Sequence, residues 1–317
     1  MLGAAFEAME TKILPVTEES LALAKEIILG GGVVGMPPET VYGLGGNAFD
    51  DHAVQRIFAV KGRPADNPLI AHVHSDFDLS TIIDYDPPYA KRLREAFLPG
   101  PLTLVYPSTR KVSPYVSCGL NTLAVRVPAH SGAQAFLKAV GLPIVAPSAN
   151  LSKHVSPTSA THEYDDFNGK IPLILAGGEC LGGIESTVCD VTGDVPVILR
   201  PGLITREMIA GAVGACEVYE PKLLQGEKVK SPGVLYKHYS PRCQTRLFRV
   251  GELSTALQVL ADEQSGGKRV CLLCDEKTVE LAKGQTAGFA KGEFPTLNLG
   301  KTEDEMAARL YALLREA

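Results

Sequence analysis

The chain has 317 residues, of which 45% are hydrophobic and 21% charged, with a formal net charge of -5. That composition supplies a packed core and excludes a disordered chain. Its acidity excludes a protein that grips a long nucleic-acid backbone through bulk charge, although a local basic cleft remains open.

The opening stretch "MLGAAFEAMETKIL" has no basic n-region and already carries acids, so no secretory signal is expected. No apolar run reaches the roughly 18 residues of a membrane span. With an odd count of seven scattered cysteines, the expectation is a cytoplasmic protein with reduced thiols and no membrane contact.

"VTEESLALAKEIILG" (16–30) reads as a helix capped by Thr17, and "GVVGMP" as a short buried strand. "GLGGNA" follows, with Gly43, Gly45 and Ala48 matching the G-x-G-x-x-A of a dinucleotide loop, a weak signal when it stands alone. "DDHAVQRIFAVKG" places Val54, Ile57 and Phe58 at helical spacing and ends at Gly62. "PLIAHVHS", "LTLVYPS", "TLAVRVPA", "LPIVAPSAN", "IPLILAGG", "ESTVCDVT" and "VPVILRPG" are short strand-like runs bounded by proline or glycine, with helices near 86–97, 131–140 and 158–168. The fold class expected is α/β: one mixed sheet domain over residues 1–218, a linker at 219–243, and a small parallel-sheet domain over 244–317. In that last part "QTRLFRV", "RVCLLC" and "FPTLNLG" read as strands. They alternate with helices at 252–263, 275–284 and from Thr302, where Thr302 and Glu305 form a capping box. Cys271 and Cys274 sit in an apolar run without a second cysteine pair, so a buried strand is the reading rather than a metal site.

Chemistry-bearing residues collect at strand ends. "AVKGRPADNPLIAHV" (59–73) sets Lys61 and Arg63 about a glycine, then Asn67 and His72, a stiff cationic turn suited to phosphate. Period-two alternation puts Thr122, Ala124 and Arg126 on one strand face. A buried arginine there needs an anion or a cleft. By the same rule His72 lies with Ile70, where a histidine satisfied by the core is the plainer reading. Ser148 and Asn150 leave another strand, where α/β sheets place ligand groups, although a simple capped turn has the same composition. Ser186 and Thr187 begin a further strand, and Arg200 leaves one into a Pro-Gly turn. Together these suggest a cleft for a polyanionic small molecule. No P-loop, Ser-His-Asp or H-E-x-x-H pattern competes.

"PPETVYGLGGNA", "KGRPADNPLIAHV", "APSANLS", "ESTVCDV", "ILRPG" and "SPGVLYKHYSP", in this order, resemble the two-domain threonylcarbamoyl-adenylate synthases. The resemblance implies a YrdC-like mixed twisted sheet with flanking helices, followed by a C-terminal Rossmann-like domain. It implies formation of threonylcarbamoyl-AMP and pyrophosphate from ATP, L-threonine and bicarbonate or CO2. A partner transferase would then pass the group to an adenosine of tRNA. On it, Lys61, Arg63, Asn67, Thr122, Ser148, Asn150, Ser156 and Arg200 would bind ATP, with Lys61 and Arg63 also catalytic. Thr40, His72, Arg126, Ala146 and Ser186 would surround threonine, with Arg126 on its carboxylate. His238 and Tyr239 of the linker would close over the nucleotide, and Mg2+ would accompany ATP, held by phosphate and water. A weak contact with tRNA or double-stranded RNA is a further expectation; the alternative reading is a non-catalytic RNA-binding module. Two departures stand out: Pro38 occupies the place of the pattern's first threonine, and one more strand and helix would be expected after "LLREA".

Overall fold

The computed structural model describes residues 10–220, 240–285 and 294–317, without the side chains of 284 and 285. The chain divides into two compact units, Met1–Tyr239 and Ser240–Ala317. Among the described residues no helix is long and apolar enough to cross a membrane.

The first unit is built on an 11-stranded mixed sheet. Its strands are β1 (Lys12–Pro15), β2 (Val33–Met36), β3 (Gly43–Asn47), β4 (Ile70–His72), β5 (Leu102–Pro107), β6 (Thr122–Arg126), β7 (Ile144–Val145), β8 (Leu173–Ala176), β9 (Thr187–Asp190), β10 (Val197–Arg200) and β11 (Glu217–Val218). Their order across the sheet is β1-β8-β2-β3-β7-β4-β6-β5-β9-β10-β11. The helices are α1 (Glu18–Leu29), α2 (Asp51–Lys61), α3 (Pro88–Phe97), α4 (Pro114–Ser117), α5 (Ser131–Val140), α6 (Ala160–Phe167) and α7 (Arg206–Val213). Local chemistry sets their ends. Thr17 accepts from the Ser20 N–H in a reciprocal capping box, and Asp50 caps α2, which stops at Gly62 in the left-handed region that glycine tolerates.

Alternation divides the sheet's side chains into two cores. One face carries Leu69, Ala71, Leu104, Leu123, Val125 and Cys189 in the larger cluster. On the other face Val34, Met36, Leu173 and Leu175 meet Ala24 and Ile28 of α1 and Phe136 and Leu137 of α5. Further along that second face, Ile70, Val105, Ala124 and Val188 form a small apolar floor. This floor positions the site.

One weak signal is set aside and one expectation fails. Gly43–Asn47 is the strand β3, paired antiparallel with both β2 and β7, so "GLGGNA" is no dinucleotide loop. Its glycines serve packing: a Cβ on Gly45 would lie 2.9 Å from Ile144 Cγ2, and one on Gly46 3.0 Å from Ile57 Cδ1. "QTRLFRV" forms no strand; Leu247 there is 98% exposed and the segment has no ladder partner.

The second unit contains α8 (Leu253–Ser265), β12 (Leu272–Cys274), α9 (Glu276–Gln285), β13 (Thr296–Asn298) and α10 (Glu303–Glu316). β12 and β13 pair in parallel, and Leu257, Ala282 and Phe294 form the core beneath them. The Thr302–Glu305 capping box is present. Cys271 precedes β12 and Cys274 ends it. Both are half-buried free thiols, not members of a buried strand core.

Candidate active site

Strand register assembles the site. His72 of β4 pairs with Arg126 of β6, Arg126 with Thr103 of β5, Thr103 with Val188 of β9, and Val188 with Arg200 of β10. Paired residues on neighbouring strands point to the same side. Residues scattered between positions 72 and 200 thus form one transverse row next to the apolar floor. Beside the row lies a hollow open to solvent.

Of the residues expected at a site, Thr40, Arg63, His72, Arg126, Ala146, Ser148, Asn150, Ser186 and Arg200 all line this hollow. Lys61 lies just beneath it, at the end of α2. Its buried Nζ donates to the Ser148 carbonyl and, at 2.6 Å, to the Asn150 carbonyl. Burial, and then the neighbouring Arg63, pull the Lys61 ammonium down to about 7. Arg63 is half-buried and donates through Nη2 to the carbonyls of Asn67 (3.1 Å) and Pro68 (3.5 Å), which fixes its direction. The Asn67 side chain is buried beside this turn, and its amide N and O have no hydrogen-bond partner among the described residues.

Arg126 is 3% exposed and has an internal partner that its strand pattern did not disclose. Its Nη2 lies 2.6 Å from Glu39 Oε1, Nη1 donates to Thr40 Oγ1 at 2.8 Å, and Nε donates to the Gly100 carbonyl. Glu39 also accepts from the Ala129 N–H at 3.0 Å. The anion that a buried arginine on this strand requires is therefore present within the chain: Glu39 neutralises it. Arg200 donates Nη2 to the Ser186 carbonyl (2.9 Å) and hydroxyl (3.2 Å), and the Ser186 hydroxyl is 2.8 Å from that of Thr103. Gly202 permits this approach, because a Cβ there would stand 2.5 Å from the Thr187 nitrogen. His72 has Nδ1 3.2 Å from the Ile70 carbonyl. Burial, and then Arg126, depress it to about 3, so it is a neutral ring at physiological pH.

Two expected contacts, Thr122 and Ser156, do not line the hollow, and two more cannot be placed. Thr122 begins β6, four residues before Arg126, and does not line the hollow. Ser156 is fully buried and donates to Glu185 Oε1 at 2.5 Å, so it reaches the hollow through that carboxylate. His238 and Tyr239 lie outside the described residues. Sequence reasoning missed Glu39, Thr103, Glu185 and His154. Glu39 had a signal, as the acid of "PPETVYG"; Thr103, inside an ordinary apolar strand, had none.

The Sua5/YciO/YrdC family model, described as telomere recombination, matches residues 26–202. The chain belongs to the Sua5/YciO/YrdC family. Residues 204–317 match a second model, the C-terminal domain of threonylcarbamoyl-AMP synthase, so this family member has the two-domain form. It is 40% identical to the threonylcarbamoyl-AMP synthase of Bacillus subtilis over 96% of this chain and 86% of that one. With the synthase of Pyrococcus abyssi the identity is 45%, over 95% and 86%. The crystal structure of P. abyssi Sua5 complexed with L-threonine superposes with a TM-score of 0.85 at 37% identity, covering 98% of this chain and 88% of that one. The α/β fold with a YrdC-like mixed sheet and a C-terminal domain is thereby established for this Sua5-family protein.

Proposed function

We propose that this protein is an L-threonylcarbamoyladenylate synthase. The observation that carries the reading is that His72, Arg126, Arg200, Arg63 and Ser148 line one hollow, with Lys61 bonded to its wall through the Ser148 and Asn150 carbonyls. Cations for phosphates and a buried arginine for a carboxylate are thus set side by side. The structural relative solved with L-threonine supports the same assignment of ligand.

In this reading threonine's free amine adds to CO2, taken up as such or formed from bicarbonate, and loses an N–H proton to solvent to give a carbamate. A carbamate oxygen attacks the α-phosphorus of ATP, the bond from that phosphorus to the bridging oxygen breaks, and pyrophosphate leaves with the electron pair. The protein need form no covalent bond. It holds the two reactants in line and places fixed positive charge where negative charge grows. Lys61 and Arg63 take the phosphates, with Asn67, Ser148, Asn150 and Arg200 around them. Arg126 takes the threonine carboxylate in a bidentate pair, beside Thr40, Ala146 and Ser186. Neutral His72 orients the amino acid and does not store its proton. Thr122 and Ser156 support the ATP side indirectly.

Magnesium is expected with ATP. Among the described residues no three His, Cys, Asp or Glu side chains cluster as a metal site. Glu185, which lines the hollow, is engaged by Ser156, and Glu39, behind it, by Arg126. The described donors therefore do not fit a dedicated magnesium cage, and no step is assigned to one.

A cytoplasmic location, delivery of the product to a tRNA-modifying transferase and a weak tRNA contact complete the reading. A non-catalytic RNA-binding role is disfavoured by the acidic chain and by the buried state of its site cations.

The deciding experiment measures pyrophosphate release from ATP with threonine and bicarbonate each omitted in turn. Release that requires both is expected; release that needs neither overturns the reading. His238 and Tyr239, which lie outside the described residues, are assigned to the nucleotide on the family resemblance alone. Tyr239→Ala then lowers adenylate formation about tenfold, equal to ~1.4 kcal/mol. Unchanged formation, read by product chromatography, removes that assignment.

A further inference from the structure

One histidine in the wall of the hollow is unassigned in the synthase reading. His154 lines the hollow on the same loop as Ser148 and Asn150. Its Nδ1 lies 3.8 Å from Oδ1 of Asp166 in α6; the histidine side chain is 41% exposed and the aspartate side chain 1%. The carboxylate thus holds the ring from inside the protein. The other ring nitrogen, Nε2, has no partner among the described residues.

Asp166 binds the loop as well as the ring. Its Oδ2 accepts from the Leu151 N–H at 3.3 Å, so one buried carboxylate fixes a backbone group and the side chain three residues on. Lys61 Nζ donates to the Ser148 and Asn150 carbonyls, and the Ser152 N–H donates to the Lys61 carbonyl at 2.9 Å. Asn150 Nδ2 donates to the His154 carbonyl at 2.9 Å, and the His154 N–H to the Leu151 carbonyl at 3.1 Å. Between them Lys153 takes a φ of 75°, which residues other than glycine seldom adopt. Such strain persists only where surrounding contacts over-determine the backbone. The fold itself therefore sets the place of the His154 ring.

The hollow has a buried end and an open side. Thr40, His72, Arg126 and Ser186, the residues given to threonine, are all buried, whereas Arg63, Arg200 and His154 are half-buried. In an in-line displacement the leaving group departs opposite the attacking oxygen. Attack from the buried end therefore sends pyrophosphate toward the open side, where His154 stands. A ring N–H backed by a buried carboxylate suits a phosphate oxygen, because an anion on each side of the ring favours positive charge on it.

We propose that His154, oriented by Asp166, holds the β- and γ-phosphates of ATP and then the pyrophosphate they become. The inference rests on the synthase reading. Contact is through Nε2, and Asp166 is a positioning residue that does not meet the ligand. The contact does not extend to the α-phosphate or the adenosine.

The test compares equilibrium binding of ATP, inorganic pyrophosphate and AMP to the full chain. His154→Ala should weaken ATP and pyrophosphate about tenfold each, the low end for a charged hydrogen bond because the ring is partly exposed. AMP and threonine affinities should stay near native. His154→Lys, which keeps a cation, should recover most of the loss. Asp166→Asn retains an acceptor for the Leu151 N–H and should weaken pyrophosphate about threefold. Added to His154→Ala, it should cost nothing more. Native pyrophosphate affinity in His154→Ala overturns the contact. AMP affinity that falls as far as that for pyrophosphate overturns the placement at the leaving phosphates. A further loss from Asp166→Asn in the His154→Ala background overturns its action through the ring. The synthase reading fails by a different result: native protein that releases pyrophosphate without threonine or bicarbonate, whatever the pyrophosphate affinity of His154→Ala.

Discussion

Replacing Lys61 or Arg63 with alanine lowers pyrophosphate release at least ~100-fold, a loss of roughly 3 kcal/mol in transition-state stabilisation. The size follows from where the charge sits. Fixed donors in a site shielded from water act on developing phosphate charge with little reorganisation. The two variants should differ in stability. Lys61→Ala removes the donor to the Ser148 and Asn150 carbonyls, and each unsatisfied buried acceptor costs about 1–3 kcal/mol. Arg63 is half-buried and donates to the carbonyls of Asn67 and Pro68 at 3.1 and 3.5 Å, longer bonds than those of Lys61, so its removal should lower the melting temperature less. Turnover of Arg63→Ala within twofold of native, in a folded protein, would refute a phosphate role for the turn.

Arg126→Ala should raise the KM for threonine at least ~100-fold, equal to about 2.7 kcal/mol, with little change in the KM for ATP. It should also destabilise the fold. Removing one partner of a buried ion pair leaves an uncompensated charge, typically at 3–5 kcal/mol. Here Glu39 keeps the Ala129 N–H and some solvent, so the lower end applies. Glu39→Ala combined with Arg126→Ala should restore most of the stability and none of the threonine affinity. The double variant separates the two roles of Arg126, one structural through Glu39 and one toward ligand. A native KM for threonine in that variant, measured by initial rates, would end the carboxylate assignment.

Much of the site could be read in the chain, for a specific reason. A two-residue period decides which strand side chains share a face, and that was enough to place Arg126 with Ala124 and His72 with Ile70. The turn after α2 was legible because glycine and proline constrain it. β3 is not legible as a strand because a stretch made mostly of glycine has the composition of a loop; its backbone pairing with β2 and β7 makes it one. The reverse error occurred at "QTRLFRV", whose alternation suits a strand that finds no partner for its backbone groups. α7, capped by Thr205, was overlooked because its apolar stripe is short.

By itself the sequence determined the local elements, their caps, the family and the residue types that could meet a nucleotide and an amino acid. These depend on near neighbours and on periodicity. Only the tertiary structure decided which of them stand together, that Glu39 rather than solvent faces Arg126, and that Lys61 is buried against the Ser148 and Asn150 carbonyls. Sheet register joins positions more than a hundred residues apart. The charge state of a buried group depends on how much water its surroundings remove, which no stretch of chain specifies alone.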